Sequence, residues 1–169
     1  MKKVNLMEAW ESVRANGGSH GVDMVSLDRY ESELEHNIEH LMEQLQAGTY
    51  LPQCVRRVEI PKADGKTRAL GIPTVRDRVV QTALKNVIEP IYDVDFSAQS
   101  FGFRPQRGCK DALRRVHHLL AQGQLYVVDA DIQSYFDMIP HDKLMERVKE
   151  KISDGRILDL IEAFLKAGI

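Results

Sequence analysis

The chain has 169 residues, 43% of them hydrophobic and 28% charged, which is the composition of a folded globular protein and excludes a disordered or fibrous one. No apolar run approaches the ~20 residues that span a bilayer, and the polar start with Lys2, Lys3 and Glu8 is no secretory signal. The expectation is a cytoplasmic protein with no membrane partner. The net charge of −2 hides an asymmetry: residues 53–115 hold thirteen Lys/Arg against seven Asp/Glu, while both flanks are acidic. Such a basic middle third is either the footprint of a polyanion partner or a solvated surface. Cys54 and Cys109 fit neither a disulfide framework nor a zinc spacing and read as free thiols.

The first strong periodicity predicts a helix over residues 28–47. Leu27, Tyr30, Leu34, Ile38, Leu41 and Leu45 recur at spacings of three and four, Asp28 with Glu31 opens it, and Gly48 stops it. A β-hairpin follows, with strands over 54–60 and 67–72 around the turn Ala63-Asp64-Gly65-Lys66, bracketed by Pro61 and Pro73. A second helix covers 75–92, with Pro90 expected to end or bend it. After an irregular stretch over 93–108 come a helix over 109–122, a buried strand over 124–132, and short helices over 141–152 and 155–167. Helices and strands mix without regular alternation, so the fold class is α+β, not a doubly wound sheet.

Three segments could carry chemistry. In Val127-Val128-Asp129-Ala130-Asp131-Ile132 an apolar strand delivers carboxylates at its end, and alternation puts Asp129 and Asp131 on one face. Magnesium prefers such oxygen ligands on a rigid element, although a solvated strand end has the same pattern. Lys62, Lys66 and Arg68 flank the hairpin tip and suit capture of phosphate oxygens, or simply guard an exposed edge. Ser100-Phe101-Gly102-Phe103-Arg104-Pro105 offers aromatics that stack on bases or close a core.

Taken together and in this order, the segments resemble group II intron-encoded reverse transcriptases. Asn16-Gly17-Gly18 with Gly21-Val22-Asp23 is similar to the N-terminal extension of that family. Ile60-Pro61-Lys62 through Arg68-Ala69-Leu70-Gly71-Ile72-Pro73 looks like its fingers hairpin, and Asp77-Arg78-Val79-Val80-Gln81 like the helix that follows. The Phe101 to Pro105 block with Asp111-Ala112-Leu113 is similar to the next block. Asp129-Ala130-Asp131-Ile132 through Phe136-Asp137 resembles the first catalytic block.

The resemblance implies reverse-transcriptase-like fingers with an N-terminal extension over 1–115 and the first part of a right-hand palm over 116–169. It implies Mg2+ held by Asp131 and the Ile132 carbonyl, with Asp129 on the same face of the strand. Lys62 and Arg68 would grip the incoming dNTP, and Phe136 would be the steric gate against a ribose 2′-hydroxyl. Arg78, Phe103, Arg104 and Arg107 would contact nucleic acid. Partners would be intron RNA, template RNA and a DNA primer, with exposed palm surface favouring a homodimer. Two departures bear on activity: the family's Tyr-Ala-Asp-Asp block is absent from the 169 residues, and Gln106 stands where the family more often has glycine. The expectation is therefore a fragment that does not polymerise alone.

A non-catalytic RNA-binding maturase module is the alternative reading, since the basic third could serve RNA without chemistry. His36 and His40 fit a zinc-peptidase spacing on one helix face, but Glu31, Glu33, Glu35 and Glu43 around them read as a solvated face.

Overall fold

The computed structural model describes residues 2–61, 65 and 67–168. The elements run α1 (Lys3–Asn16), α2 (Leu27–Ser32), α3 (Leu34–Ala47), β1 (Arg56–Pro61), β2 (Thr67–Ile72), α4 (Val75–Asp93), α5 (Cys109–Ala121), α6 (His141–Lys149) and α7 (Gly155–Lys166). The fold is α+β, mostly helical with one antiparallel two-stranded hairpin. The chain divides into two compact units, Met1–Ile88 with His141–Ile169, and Glu89–Pro140.

The first unit has a hydrophobic core. Helix α1 was not expected from the polar start. It forms because Leu6, Ala9, Trp10 and Val13 recur at helical spacing and bury one face, with the Trp10 ring centre 5.2 Å from that of Tyr30. Helix α4 contributes Val75, Val79, Val80 and Ala83, and α7 contributes Leu160.

The helix expected over 28–47 is two helices. Ser26, not Asp28, caps α2, its hydroxyl accepting from the Arg29 N–H at 3.2 Å. The break falls at Glu33 (φ −123°, ψ 28°). There the Asn37 side-chain amide donates to the Tyr30 carbonyl at 3.0 Å, the acceptor that a continuous helix would give to the Leu34 N–H. Gly48 ends α3 in the left-handed conformation (φ 71°, ψ 19°) as its residue type suggests.

The hairpin pairs Arg56 with Ile72 through to Pro61 with Thr67, close to the expected strands. Helix α4 runs through Pro90 to Asp93. A proline this near a C-terminus removes only one backbone donor. Asp154 caps α7, accepting from the Arg156 and Ile157 N–H groups at 2.9 and 3.2 Å. Asp154→Ala is expected to lower stability by about 1 kcal/mol in urea unfolding with an unchanged m-value.

The second unit holds α5, and none of its residues is buried. The buried strand expected over 124–132 is not formed: the segment has no regular structure, and Val128 is 93% exposed. A strand must hand its N–H and C=O groups to neighbours, and among the described residues this unit contains no other strand. A short 3-10 turn follows over Phe136–Met138.

Candidate functional site

The hairpin carries Arg68 on β2, opposite Ile60 and exposed. Lys62, its expected partner on the triphosphate, lies outside the described residues. At the base of the hairpin, Arg56 donates from Nε to the His20 carbonyl at 3.1 Å and from Nη2 to Ser19 Oγ at 2.8 Å. Arg78, reaching from α4, donates to the carbonyls of Gly17 at 3.1 Å and Ser19 at 2.8 Å. Two guanidinium groups thus clamp the loop after α1, and two of its glycines meet close neighbours. Gly18 adopts φ 109° under Arg78, and a Cβ on Gly21 would stand 2.6 Å from the Thr74 backbone N and Cα. Burial draws the Arg78 guanidinium below its ordinary range, with the Asp23 charge opposing. Arg78, expected at nucleic acid, has both terminal nitrogens on this loop.

Asp77, in the first turn of α4, is 1% exposed. It accepts from Tyr50 Oη at 2.5 Å and from the Gln53 N–H at 3.0 Å, while its own N–H donates to Thr74 Oγ1 at 3.1 Å. The Arg76 guanidinium lies 5.0 Å from the Tyr50 ring centre. Burial, then the hydrogen bond to Asp77, raises the Tyr50 hydroxyl well above the ordinary phenol value. Burial pushes Tyr30 up to about 12. This network ties α4 to the segment after α3 and was not singled out from sequence. Its signal was there: Asp77 sits three residues before Val80 and seven before Leu84, on the buried stripe of α4.

In the loop between α4 and α5, Arg104 donates from Nε to Asp93 Oδ1 at 2.7 Å, from Nη2 to the Asp93 carbonyl at 2.9 Å and from Nη1 to the Ser97 carbonyl at 2.8 Å. Its side chain is only 6% exposed. The hydrogen bond from Arg104 holds the Asp93 carboxyl below its usual range. Arg107 donates to the carbonyls of Ala98 at 2.7 Å and Ser100 at 3.2 Å. Phe103 stands fully in solvent.

Asp129 and Asp131 are exposed on the irregular segment, and Phe136 is exposed on the 3-10 turn. Among the described residues no group of three or more His, Cys, Asp or Glu could hold a metal ion. Mg2+ demands near-octahedral oxygen ligation, so Asp131 and a neighbouring carbonyl do not make a site alone. His36 and His40 stack with ring centres 6.3 Å apart but gather no third ligand among the described residues.

A family model for reverse transcriptase (RNA-dependent DNA polymerase) matches residues 60–167. The chain belongs to the reverse transcriptase family. It is 40% identical over 169 residues to the Escherichia coli (strain K12) protein YkfC, covering 96% of this chain and 44% of that protein. It is 37% identical over 161 residues to the group II intron-encoded protein LtrA of Lactococcus lactis subsp. cremoris, covering 95% of this chain and 26% of the relative. Nuclear intron maturase 1, mitochondrial, of Arabidopsis thaliana is 33% identical over 94 residues, 56% of this chain and 13% of its own length. The chain thus spans less than half the length of these relatives. The resemblance to group II intron-encoded reverse transcriptases is borne out.

Within this reverse transcriptase chain, the family match takes in Lys62, Arg68, Arg78, Phe103, Arg104, Arg107, Asp131, Ile132 and Phe136. It omits Arg56 and the clamped loop, which lie before residue 60. No helix among the described residues is long and apolar enough to cross a membrane.

Proposed function

We propose that the chain is the fingers and first palm segment of an RNA-directed DNA polymerase of the group II intron type. Residues 1–115 would be the fingers with their N-terminal extension, and residues 116–169 the first part of the palm. The observation that supports this most is the family match over residues 60–167, which spans every residue expected at the triphosphate and the metal.

In this reading Arg68, exposed on β2, and Lys62 bind the dNTP phosphates as fixed positive charges. Phe136, 82% exposed, would be the ring that meets the sugar and excludes a 2′-hydroxyl. Asp131 and the Ile132 carbonyl supply part of a Mg2+ ligand set, whose other carboxylates come from outside these residues. The bound metal would neutralise charge on the transferring phosphate. The exposed basic side chains of the middle third bind template and intron RNA, and the chain alone does not extend a primer.

The test is fluorescence anisotropy of a single-stranded oligoribonucleotide titrated with the chain across KCl concentrations. Affinity is expected to fall about tenfold or more between 50 and 200 mM, as release of counterions from a few phosphate contacts requires. An affinity that ignores salt, or no binding, contradicts the reading. Binding that dNTP and Mg2+ never alter, even in a longer chain with the missing carboxylates, would favour the maturase module without polymerisation.

A further inference from the structure

We propose that Phe103 is a stacking platform for one unpaired nucleobase, and that Arg104 and Arg107 hold it in place and do not grip phosphate. This deepens the RNA-binding reading above and rests on it.

Phe103 is the most exposed large apolar residue described, at 104%. Its backbone has φ +54°, in the left-handed region that a bulky side chain rarely adopts. Gln106, three residues on, is also left-handed at φ +57°. An aromatic side chain held out in solvent on a strained backbone gains nothing from the fold, and such strain persists only where the surroundings enforce it.

The enforcing groups are visible. Arg104 ties the loop to Asp93 and Ser97, and Arg107 ties it to Ala98 and Ser100. The two guanidinium groups also cover the other aromatics of the loop, 5.4 Å from the Phe96 ring centre and 5.9 Å from that of Phe101. Phe103 alone among the three carries no such cover. Beside it, a Cβ on Gly102 would meet nothing within 4 Å, so the backbone next to the ring is open to an approaching plane.

The setting selects the ligand class. Residues 93–115 carry five Lys/Arg against three Asp/Glu, and Lys110 and Arg115 stand outside the ion pairs of Arg104 with Asp93 and Arg114 with Asp111. A bare ring within a cationic stretch matches a base on a phosphate backbone, because every base offers a π-face and every linkage a negative charge. Tyr126 and Phe136 are also exposed, but Tyr126 sits on a segment without regular structure and neither has guanidinium clamps of this kind.

The experiment uses the 169-residue chain and a twelve-nucleotide oligouridylate. F103A is expected to weaken binding about tenfold with the salt slope unchanged, because stacking releases no counterions. F103W should retain affinity, and its emission should quench on RNA addition above the signal of buried Trp10. F103G should lose affinity like F103A while its Tm rises by a few degrees, since glycine relieves the positive φ. Equal affinity of F103A and the parent chain would overturn the platform while leaving RNA binding intact. A salt slope reduced by about one in F103A would also overturn it, as would a lowered Tm in both F103A and F103G. No binding by the parent chain would overturn both readings.

Discussion

Asp77→Ala is expected to destabilise the first unit by about 3 kcal/mol, read as a lowered urea midpoint. The carboxylate is 1% exposed and receives the Tyr50 hydroxyl and the Gln53 N–H. Truncation leaves both donors without their acceptor, and a buried donor stranded in this way costs ~1–3 kcal/mol. Arg76, whose Nε lies 3.8 Å from Asp77 Oδ1, loses that ion pair as well. Adding Tyr50→Phe to Asp77→Ala should cost less than the sum of the two single changes, because the second substitution removes a donor that the first had stranded. The same network fixes a pH dependence. The Tyr50 hydroxyl is raised in the folded chain by burial and then by Asp77, and Tyr30 by burial. A raised folded pKa means stability that is whole below the unfolded phenol value of about 10 and lost as pH climbs above it. Midpoints should therefore hold through neutral pH and fall in the alkaline range.

Gly21→Ala should destabilise by a comparable amount, about 3 kcal/mol. The added Cβ would lie 2.6 Å from both Cα and N of Thr74 and 2.9 Å from the Pro73 carbonyl carbon. These are backbone atoms at the start of α4, so the clash cannot be relieved by turning a side chain. It forces the loop off Pro73–Thr74 and strains the hydrogen bonds from Arg56 and Arg78. Gly48→Ala is the control. It has φ 71° but nothing within 4 Å of the new Cβ, so it should cost only the left-handed backbone term of about 1 kcal/mol. If the two variants unfolded at the same urea concentration, close approach would not be the reason for Gly21.

What could be read in advance followed local physics. Apolar spacing located α4, Gly48 located the end of α3, and the paired runs located the hairpin, because each signal acts within a few residues. The break at Glu33 escaped because the Asn37 side chain, not a glycine or proline, takes the Tyr30 carbonyl. Helix α1 escaped because its four buried positions are outnumbered by polar residues. The apolar run over 125–128 resembles a strand, but a strand is a property of its neighbours as much as of itself. The site was legible in a different sense. The motif order pointed to the family, and the family match agrees. The intramolecular acceptors of single arginines were not legible, because residue type does not reveal them. Arg78 and Arg104 were expected at nucleic acid, yet the structure puts their donors on backbone carbonyls and Asp93. Phe103 does not close a core but stands in solvent, on a loop that the arginines beside it hold.

The most direct test of the central claim is primer extension on an RNA template by a complete reverse transcriptase in which these 169 residues replace the aligned part. The account predicts Mg2+-dependent DNA synthesis that falls by at least about a hundredfold in Asp131→Ala, with template affinity unchanged. Synthesis at the unmutated rate by the Asp131→Ala variant would contradict it.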